Sequence, residues 1–501
     1  MPDTNASPKP APDARPAPQD NLVETKHTVV IGGREIRYTV TTGTLVLKEE
    51  AEKKGEQAGE AEGEKPKATV FFIAYTRDDA PDRARRPVTF SFNGGPGSSS
   101  VWLHLGVLGP RRVWLDEAGH LPAPPFRLVD NDYSLLDMTD LVFIDPVSTG
   151  YSRPVVGEKA REFHGFRKDI ESIGEFIRLY TTRYRRWTSP KFLIGESYGT
   201  TRAAGLSGYL QERLGLYLNG VMLISSILEF QTARFGPGND LPHVLFLPTY
   251  TATAWYHRRL PPDLQADLPT ALREAEAFAA GDYTLGLMKG AALAADERAR
   301  LVAKLARLTG LSPDYVERAD LRIEIFRFTK ELLRDQRRTV GRLDSRFTGI
   351  DRDAAGERFE DDPSYTNILG PYTAAFNDYV RAELKFETDL PYEILHPNLW
   401  QTWSYAEYQN QFLNVAETLR RAMTMNPHLK VLVANGYYDL ATPYFATEYT
   451  FRRLGLDPSL QGNVTLTYYE AGHMMYIHQP SLVRLKDDLA AFIRRATPHA
   501  A

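Results

Sequence analysis

The stretch Lys191-Phe-Leu-Ile-Gly-Glu-Ser-Tyr-Gly-Thr200 decides how the rest of the chain is read. A short apolar run breaks at Gly195, and a helical pattern resumes after Gly199, with Ala203, Leu206, Leu210 and Leu214 at helical spacing. The spacing predicts a strand, a tight turn and a helix over Arg202 to Leu214. In a G-x-S-x-G turn, two glycines let strand and helix approach closely around a strained central residue, which lifts the hydroxyl of Ser197 above the sheet edge. Backbone N–H groups at the start of the helix then lie beside that hydroxyl, ready for the negative charge of acyl transfer.

Working outward, Val88-Thr-Phe-Ser-Phe92 reads as a strand ending in Asn93-Gly-Gly-Pro-Gly-Ser-Ser-Ser100. A glycine cluster straight after a buried strand is either a plain turn or a concavity of backbone N–H groups that receives an oxyanion. With Ser197 in the chain the oxyanion loop is favoured; no Gly-Lys-Ser/Thr follows, so a phosphate loop is not. Leu141 to Ile144 is a strand, Phe163 to Tyr184 a long amphipathic helix, and Gly220 to Ser225 another buried strand. This alternation predicts an α/β fold, with a mostly parallel sheet covered on both faces.

The sheet pattern resumes at Lys430 to Ala434, which leads to Asp439, and at Val464 to Tyr469, which leads to His473; a helix from Pro480 to Arg495 follows. Serine is a poor nucleophile until a histidine takes its proton, and that histidine needs a buried carboxylate to fix its tautomer. Ser197, Asp439 and His473 supply these types at strand ends, in the order expected of an α/β-hydrolase. Singly, Asp439 reads as a turn residue and His473 as a core histidine; their joint placement with the Asn93 to Ser100 loop makes the reading specific. His478 is the rival base, at the start of the last helix, where a capping or surface role fits it. No His-x-x-x-His pair with a nearby Glu supports a metalloprotease.

The flanks carry less chemistry. Residues 1–25, rich in Pro, Ala and Asp, read as a disordered tail. Thr28 to Ile31, Gly32-Gly33 and Glu35 to Thr42 make a hairpin signature, and Thr69 to Tyr75 returns to strand, giving an N-terminal antiparallel meander. Glu49 to Lys67, almost wholly Glu, Lys, Gly and Ala, reads as a solvated mobile loop. The expected organisation is a core of residues 26–228 and 428–498, with 229–427 a largely helical cap inserted over the sheet's carboxyl edge. Its aromatics Tyr250, Trp255, Tyr256, Trp400, Trp403 and Tyr405 are read mainly as packing.

The chain has 501 residues, 43 % of them hydrophobic, enough for a large core, and a formal charge of −4 with no basic stripe to suggest nucleic acid. It has no cysteine, which excludes disulfides, thiolate catalysis and cysteine-held metals. No apolar run reaches the roughly 18 residues that span a bilayer, and Met1 to Gln19 lacks an apolar signal-peptide region. The expectation is a soluble protein, cytoplasmic as written, or periplasmic or secreted if a leader was removed. Its oligomeric state is open, with a homodimer among the options.

Together the motifs resemble the serine carboxypeptidase family, an α/β-hydrolase branch, here as a bacterial-type member without cysteines. The resemblance rests on Asn93 to Ser100, Leu108-Gly-Pro110, Asp145-Pro-Val-Ser-Thr-Gly-Tyr-Ser152, Gly195-Glu-Ser-Tyr-Gly199, Asn435-Gly-Tyr-Tyr-Asp439 and Ala471-Gly-His-Met474. It implies that Ser197, Asp439 and His473 are the triad, that the N–H groups of Gly95 and Tyr198 form the oxyanion hole, and that Asn93, Gly94 and Glu196 bind a substrate's terminal carboxylate. It implies no metal or organic cofactor, peptides as substrates, and removal of C-terminal residues. The alternatives are an aminopeptidase or endopeptidase, and an esterase or acyltransferase, on the same triad. Three positions depart from the family pattern: Val107 replaces a second glutamate that would share a proton with Glu196, Ser91 a tryptophan and Ser98 a cysteine.

Overall fold

The structure is a computed structural model that describes residues 18–52 and 59–497. Its centre is one mixed sheet. The strands are β1 (Asn21–Ile31), β2 (Arg34–Glu52), β3 (Ala61–Arg77), β4 (Val88–Phe92), β5 (Asp140–Ile144), β6 (Lys191–Ser197), β7 (Gly220–Ser226), β8 (Lys430–Gly436) and β9 (Val464–Tyr469). Their spatial order is β1-β2-β3-β5-β4-β6-β7-β8-β9, and the two-residue strand Arg153–Pro154 also pairs with β3. The pairs from β1 to β5 are antiparallel and those from β5 to β9 parallel. This is the α/β-hydrolase arrangement expected, with its antiparallel meander at one edge.

Alternation along each parallel strand sends neighbouring side chains to opposite faces. Phe192, Ile194, Met222, Ile224 and Leu432 enter one apolar cluster, and Leu193, Val221, Leu223, Val431 and Val433 enter the other. Against the second face pack α1 (Phe166–Arg183) and α2 (Tyr198–Leu214). Helix α2 starts four residues before Arg202, because Ser197 itself is the hinge between strand and helix.

The region from Leu241 to Ala382 is helical, with α3 (Leu241–Tyr256), α4 (Ala295–Thr309) and α5 (Pro363–Ala382) its longest members. Much of it has a separate apolar core, which also takes in Tyr438, Leu440 and Tyr444 beside Asp439. Two stretches expected in the insertion are layers of the sheet domain instead. Ile368, Tyr372, Phe376 and Tyr379 of α5 join the first face, and Leu419, Ala422 and Met423 of α6 (Ala416–Met425) the second. Their apolar stripes cover sheet surface that would otherwise be bare. The last helix, α7 (Gln479–Ala496), closes the first face.

Two further expectations are corrected. Strand β1 begins at Asn21, inside the stretch read as tail, because its backbone pairs with β2 from Asn21↔Thr44 onward; residues 1–17 lie outside the described residues. The Glu/Lys-rich stretch is strand on both sides of residues 53–58, which also lie outside the described residues. Register runs through Glu49↔Lys65 and Glu50↔Glu64, and Lys48 Nζ stands 3.6 Å from Glu64. A two-stranded ribbon satisfies its backbone across the ladder without burying side chains, so composition alone misreads it as loop. Among the described residues no helix is long and apolar enough to cross a membrane.

Candidate active site

Ser197 ends β6 and precedes α2 with φ 60° and ψ −130°. A non-glycine residue in such a region stores strain of about 1–3 kcal/mol, sustained only where the surroundings dictate it. Here the glycines do so: a Cβ on Gly195 would lie 2.1 Å from the Gly199 carbonyl oxygen, and one on Gly199 would lie 2.8 Å from that of Phe92. Beneath the turn a buried ion pair braces three elements. Arg202 Nε donates to Asp169 Oδ2 at 2.9 Å, its Nη1 donates to the Asn93 carbonyl at 2.6 Å, and Tyr198 donates its hydroxyl to Asp169 at 3.2 Å.

Behind the serine stand the other two candidate triad members. Asp439 is fully buried in the loop after β8. Its Oδ1 accepts the N–H groups of Ala441 (2.7 Å) and Thr442 (3.0 Å), and its Oδ2 accepts the Thr442 hydroxyl and His473 Nδ1–H, both at 2.7 Å. Nδ1 is therefore the protonated ring nitrogen, which leaves Nε2 as a base. Burial alone would lower the His473 pKa; the Asp439 carboxylate, with Glu196 beyond it, outweighs this and holds it above the ordinary value, while Arg342 opposes them. Ser197 and His473 line the same cavity, of about 460 Å³. Ser197 Oγ makes no hydrogen bond among the described residues, and such contacts commonly tighten only once substrate is bound.

The glycine loop closes the other side. A Cβ on Gly94 would lie 2.4 Å from the Tyr198 nitrogen, so loop and helix start touch backbone to backbone. Gly95 has φ 104°, a conformation that favours glycine. Tyr198 opens α2, where N–H groups have no acceptor within the helix. Asn93 Nδ2 donates to Glu196 Oε1 at 3.1 Å, and Tyr476 donates its hydroxyl to Glu196 Oε2 at 2.5 Å. Burial raises the Glu196 pKa to about 7, although His473, Tyr476 and Asn93 all favour its charged form. Ser98, at the family's cysteine position, accepts the Trp102 indole N–H at 2.7 Å.

Two straps from the stretch between β7 and β8 hold these loops. In the first, residues 342–346, the Arg342 carbonyl accepts Leu440 N–H (3.1 Å) and the Leu343 carbonyl accepts His473 N–H (2.7 Å). Asp344 Oδ2 accepts Gly472 N–H (3.0 Å), and Ser345 N–H donates to the Tyr438 carbonyl (3.0 Å). Arg346 is paired with Asp344 at 2.7 Å. In the second strap, Ser99 N–H donates to the Ile394 carbonyl (3.1 Å) and His396 N–H to that of Gly97 (2.8 Å). The insertion thus fixes both halves of the cavity as well as roofing it.

Of the residues singled out from sequence, Asn93, Gly94, Gly95, Glu196, Ser197 and His473 line one cavity; Asp439 lies behind His473, and the Tyr198 ring packs against Trp403. His478 precedes α7, with Nδ1 2.8 Å from Ser481 Oγ. Among the described residues no three His, Asp or Glu side chains are gathered so as to hold a metal ion. Sequence reasoning missed Tyr476, Arg342 and the Asp344–Arg346 pair. Tyr476 sits three residues past His473 and had that proximity as its signal; the other three lie in the insertion and had none.

Fold and constellation define the class: an α/β-hydrolase carrying a Ser–His–Asp set. Residues 54–229 match the family model described as serine carboxypeptidase, a likeness confined to that part of the chain. The match holds Ser197 and the glycine loop, while Asp439 and His473 join them through the fold. The pheromone-processing carboxypeptidase KEX1 of Saccharomyces cerevisiae is 30 % identical over 135 residues, which are 26 % of this chain and 17 % of that protein. The solved structure of a prohormone-processing carboxypeptidase, KEX1(DELTA)P from Saccharomyces cerevisiae, covers 90 % of this chain and 91 % of its own with a TM-score of 0.56 at 14 % identity, a likeness of fold. A putative aryl esterase from Burkholderia cenocepacia covers 94 % of this chain and 99 % of its own, with a TM-score of 0.37 at 12 % identity, too low to weigh.

Proposed function

We propose that the protein is a serine peptidase that cleaves peptides through an acyl-enzyme and removes residues from the C-terminus. The observation that carries this reading is the convergence of Ser197, His473 and the Asn93–Gly95 loop on one cavity, with Asp439 at 2.7 Å from His473 Nδ1. His473 Nε2 takes the Ser197 proton as Oγ attacks the peptide carbonyl. The N–H groups of Gly95 and Tyr198 receive the oxyanion. Collapse of the tetrahedral intermediate expels the amine with the proton from His473, and water, activated by the same ring, releases the acyl group.

Preference for a free C-terminus is assigned to Asn93, Gly94 and Glu196. A carboxylate beside an ionised glutamate is repelled, whereas a protonated one donates a hydrogen bond. With a pKa raised to about 7, Glu196 is protonated through the acidic range without a second glutamate. The activity in the matched relative's name agrees with this. Replacement Ser197→Ala is expected to lower peptide turnover by several orders of magnitude and to abolish labelling by a fluorophosphonate, with the fold kept by circular dichroism. Near-native turnover in that variant would end the proposal.

A further inference from the structure

The cavity beside Ser197 is lined largely by apolar and aromatic groups, among them Trp102, Phe326, Phe359, Leu395 and Trp400. Arg342 is the only lysine or arginine among its lining residues. Its side chain is half-buried, and its guanidinium makes no hydrogen bond or ion pair among the described residues. Arg202 and Arg346, close by, are instead held by Asp169 and Asp344.

The backbone of Arg342 is fixed. Its N–H donates to Asp362 Oδ1 at 3.0 Å, its carbonyl accepts Leu440 N–H, and the next carbonyl accepts His473 N–H. The guanidinium is near enough to His473 to oppose the charging of that ring. Neither carboxylate of the cavity is paired with it: Glu196 accepts from Asn93 and Tyr476, and Asp362 Oδ1 accepts from Arg342 N–H, Ser364 N–H and the Ser364 hydroxyl. A half-buried cation in apolar surroundings is costly without a counter-ion. The fork of a guanidinium matches a carboxylate through two parallel hydrogen bonds.

We propose that Arg342 is a carboxylate subsite of the Ser197 cavity, taking a carboxylate that the substrate carries at its C-terminus or on an acidic side chain. It deepens the peptidase reading, on which it rests. It comes from the insertion, on the side of the cavity formed by the Asp439 and His473 loops, and supplies the positive charge that Asn93, Gly94 and Glu196 lack.

Binding tests this apart from turnover. A short peptide is made in four forms, with Glu or Gln at the penultimate position and a free or amidated carboxyl end. Each is titrated calorimetrically into Ser197→Ala protein and into the same protein carrying Arg342→Gln or Arg342→Lys. The expected result is that Arg342→Gln weakens binding about tenfold or more for carboxylate-bearing forms relative to the doubly neutral one, as loss of a charge-assisted pair requires, and that Arg342→Lys keeps part of the discrimination. Loss confined to the free-acid forms names the terminal carboxylate as ligand; loss confined to the Glu forms names the side chain. Equal loss in all four forms, or no binding of any form to the Ser197→Ala protein, overturns the subsite. Turnover by wild-type protein that vanished in Ser197→Ala would still leave the peptidase reading standing.

Discussion

Tyr476 donates its hydroxyl to Glu196 Oε2 at 2.5 Å, and both side chains are buried. Where the family pattern has a second glutamate, this chain has Val107, buried on the turn next to Gly106. Tyr476 packs over that turn so closely that a Cβ on Gly106 would lie 2.3 Å from its ring. A phenol therefore satisfies Glu196 in place of a shared carboxyl proton. Burial drives the Tyr476 hydroxyl well above its ordinary pKa, so it stays a donor and Glu196 titrates without a partner acid.

Replacing Tyr476 with Phe leaves Glu196 Oε2 without a donor. The hydroxyl favours the charged carboxylate, so its loss moves the Glu196 pKa further up from about 7. The pH above which KM for free-acid peptides rises is expected to move upward, at a cost in stability of about 1–3 kcal/mol for the stranded oxygen. Michaelis parameters across pH 5–9 and denaturant unfolding check both. A KM profile that did not move would separate Glu196 from the substrate carboxylate.

Glu196→Gln acts on the histidine as well. Its carboxylate helps to hold the His473 pKa up, and in the proposed mechanism His473 must be neutral to accept the Ser197 proton. Removing that charge lowers the His473 pKa, so the acid limb of kcat/KM on amidated or ester substrates is expected to move to lower pH. Wild type reports the two groups as a coupled pair and the variant only one. Movement to higher pH would contradict the electrostatics described.

Asp344→Ala tests the first strap. It removes the acceptor of Gly472 N–H and strands the buried Arg346, which costs about 3–5 kcal/mol by the usual penalty for an unpaired buried charge. The double variant Asp344→Ala/Arg346→Met is expected to regain much of that stability while kcat stays low, because Gly472, the residue before His473, loses its tether. Thermal melts and kcat for the two variants decide it; recovery of kcat together with stability would reduce Asp344 to a purely structural part.

The sequence was legible wherever one local rule acted alone. The glycines around Ser197, the strand ends before Asn93, Asp439 and His473, and the order of these residues announced the sheet and pointed to the candidate site, because each depends on neighbours within a few positions. The ribbon of β2 and β3 was hidden, since Glu49↔Lys65 pairing leaves no apolar alternation to read. Helices α5 and α6 were assigned to the cap because a helical stripe does not say which surface it covers. Leu343 and Asp344 reach His473 and Gly472 across more than a hundred residues of chain, through one backbone carbonyl and one carboxylate, contacts with no pattern in the sequence.

The most direct measurement is digestion of one peptide with its carboxyl end free or amidated and its amino end free or blocked, product masses being followed over time with Ser197→Ala as control. The account predicts stepwise loss of C-terminal residues from the free-acid forms, whatever the state of the amino end, and none from the control. Cleavage indifferent to amidation, or beginning at the amino end, would contradict it.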